Sequence, residues 1–106
     1  MKRVLFLAAL MVTLLTSCYK DNATYTFEVT GADQKYTISY QNDHGEWIQD
    51  QIVDNGWSYY SEHDSDWRLK LNVQGNDIKV NLYKRTKLIK SWEGTGTLEI
   101  NEKINH

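Results

Sequence analysis

Trp67-Arg68-Leu69-Lys70-Leu71-Asn72-Val73 alternates apolar and polar side chains without interruption, and no other feature restricts the fold of this chain more. A period of two sends successive side chains to opposite faces of an extended backbone, so such a run buries one face and wets the other. The pattern recurs at Tyr25, Phe27 and Val29, at Tyr36, Ile38 and Tyr40, and at Ile78, Val80 and Leu82. Between these runs lie turn signals: Gly31-Ala32-Asp33, Asn42-Asp43-His44-Gly45, Asp54-Asn55-Gly56, Gly75-Asn76 and Gly94-Thr95-Gly96. Gly75-Asn76 reads as a tight hairpin, because the favoured two-residue turns need positive φ. No helical stripe follows the leader. Repeated half-buried strands must cover one apolar face each, which predicts an all-β fold: a small antiparallel β-sandwich of about seven strands. Its inward side chains are expected to be Tyr25, Phe27, Val29, Ile38, Tyr40, Trp57, Leu69, Leu71, Val73, Ile78, Val80 and Leu82.

The N-terminus obeys a different rule. A basic start, Lys2-Arg3, precedes an apolar run from Val4 to Leu15, the layout of a signal peptide. As a helix this run would span roughly 18 Å at about 1.5 Å per residue, short of the ~30 Å hydrocarbon core. Leu15-Thr16-Ser17-Cys18 resembles the lipobox of bacterial lipoproteins, in which the cysteine is acylated and becomes the new N-terminus. Residues 1–17 are thus expected to be a lipoprotein signal peptide, 18–23 the lipidated N-terminus and its tether, and 24–106 the β-domain. Cys18 is the only cysteine, so no disulfide forms within the chain. Two acyl chains hold a protein firmly where one holds it marginally. The membrane, reached through lipidated Cys18, is therefore the first expected partner. The cell envelope is the expected address, and by the sorting of similar lipoproteins the outer membrane, on its periplasmic or surface face.

The order Tyr25-Thr26-Phe27-Glu28-Val29-Thr30-Gly31, Ile38-Ser39-Tyr40, Asp43-His44-Gly45, Trp57-Ser58, Ile78-Lys79-Val80-Asn81-Leu82-Tyr83 and a late Gly94 resembles the MmpS-type accessory domain over about residues 25 to 100. The resemblance implies a small immunoglobulin-like sandwich working beside a transporter of the MmpL type, with no catalytic residue to carry over. Gly56 stands where the family often has proline, and Lys84-Arg85-Thr86 replaces an aspartate-glycine turn. The lipidated cysteine replaces a membrane-spanning anchor, and the paired cysteines of some members are absent.

Composition narrows the function classes. The chain is acidic, with a formal net charge of −2 that becomes more negative once Lys2 and Arg3 leave with the signal peptide. No basic stripe offers itself to nucleic acid. The three histidines, His44, His63 and His106, sit in a turn, an acidic stretch and the terminus, without the spacing of a nucleophile, base and orienting acid. Glu62, Asp64 and Asp66 fall short of a calcium-loop signature, and a solvated acidic loop is the simpler reading. No catalytic residue, metal site or cofactor is expected. Four tryptophans and seven tyrosines are many for so small a chain. Trp47, Tyr60, Tyr83 and Trp92 lie off the inward register or at strand ends, and they form the candidate binding surface. The function expected is non-enzymatic: a membrane-anchored envelope lipoprotein that docks onto a protein, a transporter among the candidates. The alternative is a module that binds glycans or peptides.

Overall fold

The computed structural model describes residues 22–106; the leader, Cys18 and most of the tether lie outside the described residues. Six strands follow in order: β1 (Ala23–Gly31), β2 (Lys35–Gln41), β3 (Trp47–Asp54), β4 (Trp57–His63), β5 (Trp67–Lys84) and β6 (Lys87–Ile104). All pairings are antiparallel and belong to one sheet, ordered β3-β2-β5-β1-β4, with β6 along the other side of β5. No helix occurs among the described residues.

The pairing shows how six strands make so compact a core. β2 pairs with the first half of β5 (Thr37 with Gln74, Tyr40 with Leu71), and β1 with the second half (Gly31 with Ile78, Tyr25 with Lys84). β1 and β2 thus form one long ribbon antiparallel to β5, broken between Gly31 and Lys35. β3 and β4 form a second ribbon beside the first, broken at Asn55-Gly56. β5 slips its register against β6 between Gly75 and Ile78, opposite Gly96 and Gly94. These breaks fall on the same line, and the sheet bends there into a half-barrel. Its two halves face each other over a single core, as rings from opposite halves show: Phe27 and Tyr40 lie 5.9 Å apart, Tyr40 and Trp57 5.4 Å, and Tyr25 and Trp67 5.1 Å.

The crease is held by specific bonds. The Tyr36 hydroxyl donates to the carbonyl of Asp77 (2.5 Å) and accepts from the backbone N–H of Asp33 (3.1 Å). The Asp33 carboxylate accepts from the N–H of Asn76 (2.7 Å), and the Asn55 amide donates to the carbonyls of Gly31 and Asp33, both at 2.7 Å. Gly31 has φ +138°, and a Cβ there would run into the Asp77 carbonyl and the Tyr36 hydroxyl. Gly75 needs no positive φ; a Cβ would fall 2.6 Å from the Tyr36 ring.

This last contact explains the departure from the expected turn. Gly75-Asn76 is not a hairpin but the middle of β5, where glycine lets the strand pass over Tyr36. Gly94-Thr95-Gly96 is likewise interior to β6. The strand count is therefore six, two of them long. The hairpin lies instead at Arg85-Thr86, closed by Lys84 opposite Lys87, with Arg85 at φ 57°.

All the expected inward side chains are buried except Trp57, which packs half-buried against them. Tyr36, Val53, Ile100 and Ile104 join the core. Leu71 is wholly buried between neighbours on β2 and β6, whereas Lys70 points away. Leu71→Asp should therefore lower stability by about 4 kcal/mol, through an unpaired buried charge, and Lys70→Asp by under about 1 kcal/mol. Chemical denaturation of the domain checks this; equal effects would refute the register. At the crease, Gly31→Ala combines a forbidden φ with a clash and should cost about 3 kcal/mol. Gly96→Ala, with φ +79° but open space around it, should cost about 1 kcal/mol.

Candidate functional site

Folding the sheet over brings its two ends together in a mouth. On one side β4 meets the β2–β3 turn and the start of β5, leaving a recess of about 210 Å³ lined by Phe27, Asp43, Tyr59, Ser61, His63, Trp67 and Arg68, among others. Alternation on β4 places these groups: Trp57, Tyr59, Ser61 and His63 pair with Val29, Phe27, Tyr25 and Ala23 and so point inward. The turn is built by Asn42, whose side-chain oxygen accepts from the N–H groups of His44 and Glu46 at 3.0 and 2.9 Å. The turn presents Asp43, whose carboxylate accepts from the Tyr59 hydroxyl at 3.0 Å and ties the two lips together. Burial raises the Tyr59 phenol pKa above its ordinary value, opposed by the backbone N–H of Asp43 and aided by the Asp43 carboxylate.

His63 stacks face to face on Trp67, 4.1 Å between ring centres, and its Nε2 lies 2.8 Å from the Ser61 hydroxyl. Burial lowers its pKa below the ordinary 6.5, outweighing the opposing pull of Asp43 and Asp64. Ser61 and His63 resemble two parts of a hydrolytic triad. Among the described residues, however, no carboxylate hydrogen-bonds the imidazole to orient it, and Asp43 is engaged by Tyr59. The indole N–H of Trp67 is buried and meets no acceptor among the described residues. The recess thus offers aromatic walls, a carboxylate, a hydroxyl, a neutral imidazole and one unpartnered donor: groups suited to holding a small moiety.

The four aromatic candidates do not form one patch. Tyr60 is 70% exposed on the outer face of β4, and Tyr83 lies on the same outer row, both opposite Thr26, with Leu88 next along it. Trp47, 43% exposed, stands on the other half of the sheet beside Ser39, Gln49 and Asn72. Trp92 is paired with Val80 and packs against the core under Lys90, so its ring is a wall of the fold and not an outward contact. Its register could be read only once the break at Gly94 was seen to continue β6.

Nor do Glu62, Asp64 and Asp66 converge. Asp66 accepts from the backbone N–H of His106 at 2.7 Å and pairs with Lys103 at 3.6 Å, contacts that lower its carboxyl pKa. Among the described residues no group of three such side chains is placed to hold a metal ion. The recess itself was missed in the sequence because Asp43, Ser61, His63 and Trp67 come from three separate segments. The one available signal was the polar inward register of β4, where Ser61 and His63 continue Trp57 and Tyr59.

Comparison with known protein families, curated proteins and solved structures finds no match to this chain.

A lowered imidazole pKa has a defined consequence for stability. The unfolded chain takes up its proton near pH 6.5, the folded chain only at lower pH, so stability is full above 6.5 and declines as pH falls through and below it. The melting temperature should fall between pH 7.5 and pH 5, and His63→Phe, which keeps the stack on Trp67, should flatten that interval. An unchanged slope would show that His63 titrates alike in both states.

Proposed function

We propose that this chain is a lipid-anchored envelope protein that works by binding, docking a segment of another envelope protein along β4 and seating one of its side chains in the recess. The observation that carries this reading is a difference among the sheet's edges. β6 carries Lys87, Lys90 and Lys103 along its length, and β3 is interrupted by a register shift and by Asp50 at φ 52°. Both devices keep an edge from pairing with other chains. β4, Trp-Ser-Tyr-Tyr-Ser-Glu-His, has neither lysine nor bulge, and it is an edge among the described residues. An extended segment added to β4 would gain main-chain hydrogen bonds, with the recess selecting the side chain beside them. At about 210 Å³ the recess is smaller than the ~300–1,000 Å³ of sites for whole small-molecule ligands, and suits one side chain.

The same size also admits a single sugar ring, and aromatic walls with Asp43, Ser61 and Arg68 on the rim favour this as the second reading. The MmpS-like order of motifs over about residues 25 to 100, and with it an immunoglobulin-like domain type and a transporter partner, is carried as part of the proposal. The leader and the lipobox around Cys18 support the anchor.

Two measurements test these statements. Cys18→Ala should move the protein out of the membrane fraction; retention at the same level with the leader removed would refute the anchor. A photo-crosslinking residue at Ser58 should capture an envelope protein in cells, and Tyr60→Lys beside it should cut the yield by about fivefold or more without changing the melting temperature. No captured protein, together with saturable binding on a glycan array, would move the conclusion to the sugar reading.

A further inference from the structure

The β5–β6 hairpin tip, Lys84-Arg85-Thr86-Lys87-Leu88-Ile89-Lys90, gathers four cations and no acid in a chain of formal net charge −2. Its apolar side chains are outside: Leu88 is 48% exposed and Ile89 40%. A bulge makes this possible. Leu82 pairs with Lys90 and Tyr83 with Leu88, so Ile89 is the extra residue that turns two consecutive apolar side chains toward solvent. Lys84 is tied to the His106 carbonyl at 3.1 Å, and Lys90 to Glu102 and the face of Trp92. Arg85 and Lys87, at the tip, are exposed and enter no ion pair among the described residues.

The tip also lies where the chain enters the domain. The N–H of Arg85 donates to the carbonyl of Thr24 at 2.7 Å, and Lys84 pairs with Tyr25. From Cys18 to Ala23 the backbone can reach at most about 18 Å. A lipidated Cys18 therefore keeps this tip within about 18 Å of the bilayer, whose surface is anionic and backed by an apolar interior.

We propose that the hairpin tip is a second membrane contact, in which Arg85 and Lys87 meet the anionic headgroups of the bilayer while Leu88, Ile89 and the neighbouring Tyr83 enter its interface. Basic residues interleaved with apolar and aromatic ones are the composition such a surface binds. Together with the acyl anchor, this contact fixes the orientation of the domain. The inference rests on the anchor reading for the location of the membrane, but not for the affinity of the tip.

The experiment separates the two. All core side chains lie within Ala23–Ile104, so the chain from residue 18 with Cys18→Ser, lacking leader and acyl groups, keeps the whole core. It should sediment with vesicles of phosphatidylcholine and phosphatidylglycerol, much less with phosphatidylcholine alone, and release as salt is raised. Arg85→Glu with Lys87→Glu should lower partitioning by about tenfold or more, and Leu88→Ser with Ile89→Ser by about threefold or more. Lys35→Glu with Lys79→Glu, which matches the charge change away from the tip, should leave it nearly unaltered. Equal losses from tip and control pairs, or no preference for anionic vesicles, would overturn the proposal. Cys18→Ala in the full-length protein, read after a high-salt wash that releases the tip contact, reports on the anchor alone.

Discussion

The structure depends on a bend being paid for at one line across the sheet. A flat antiparallel sheet of these strands would leave its apolar face, including Tyr25, Ile38, Leu71 and Val80, open to water. Folding it over at the crease buries all of them against one another. The bend interrupts ladder hydrogen bonds, and an unsatisfied buried peptide group costs about 1–3 kcal/mol. Tyr36, Asp33 and Asn55 replace what is lost, with bonds to Asp77, Asn76, Gly31 and Asp33 itself. The glycines on this line have different duties. Gly31 supplies a left-handed backbone at a close approach, while Gly75 supplies space for an aromatic ring.

This division explains why the fold was partly legible in the sequence. The alternation at 67–73 and 78–82 reports a face, and the face is correct on both sides of Gly75. What alternation cannot report is whether the glycine between two runs reverses the chain or lets it continue. Both outcomes keep the same residues inward, so the core was readable while the connectivity was not. The true reversal at Arg85-Thr86 has no glycine or asparagine to mark it; a left-handed arginine is an uncommon solution, held here by the bond from its N–H to Thr24. The recess was less legible still, because its members meet only when the sheet closes. Ser61 and His63 look like solvated residues of an acidic stretch until β4 is paired with β1.

The same closure makes the two sides of the mouth unlike. On the β6 side the lips are joined by the Lys90–Glu102 ion pair and by the Lys84 ammonium donating to the His106 carbonyl. On the β4 side they are joined by the Tyr59 hydroxyl on Asp43 and by stacked rings, and space remains between them. A lysine-bearing edge resists strand addition and attracts anions, whereas the lysine-free β4 edge beside an aromatic recess, with Glu62 as its one acid, leaves its backbone open to a strand. One small sheet thus offers two surfaces with different chemistry at the end where β1 begins.

That arrangement constrains how the proposed functions can coexist. If the tip rests on the bilayer, the His63 end of β4 lies across β1 at the level of the tip, so one end of a docked segment would sit close to the membrane surface. A soluble partner would have to approach a plane that the domain itself partly covers, and a membrane-embedded protein would present its segment there already. The geometry therefore favours an integral or similarly anchored partner over a freely diffusing one, because anchoring both proteins raises their effective concentration without any additional contact. A weak single-side-chain recess is then sufficient, since the membrane supplies the rest of the encounter.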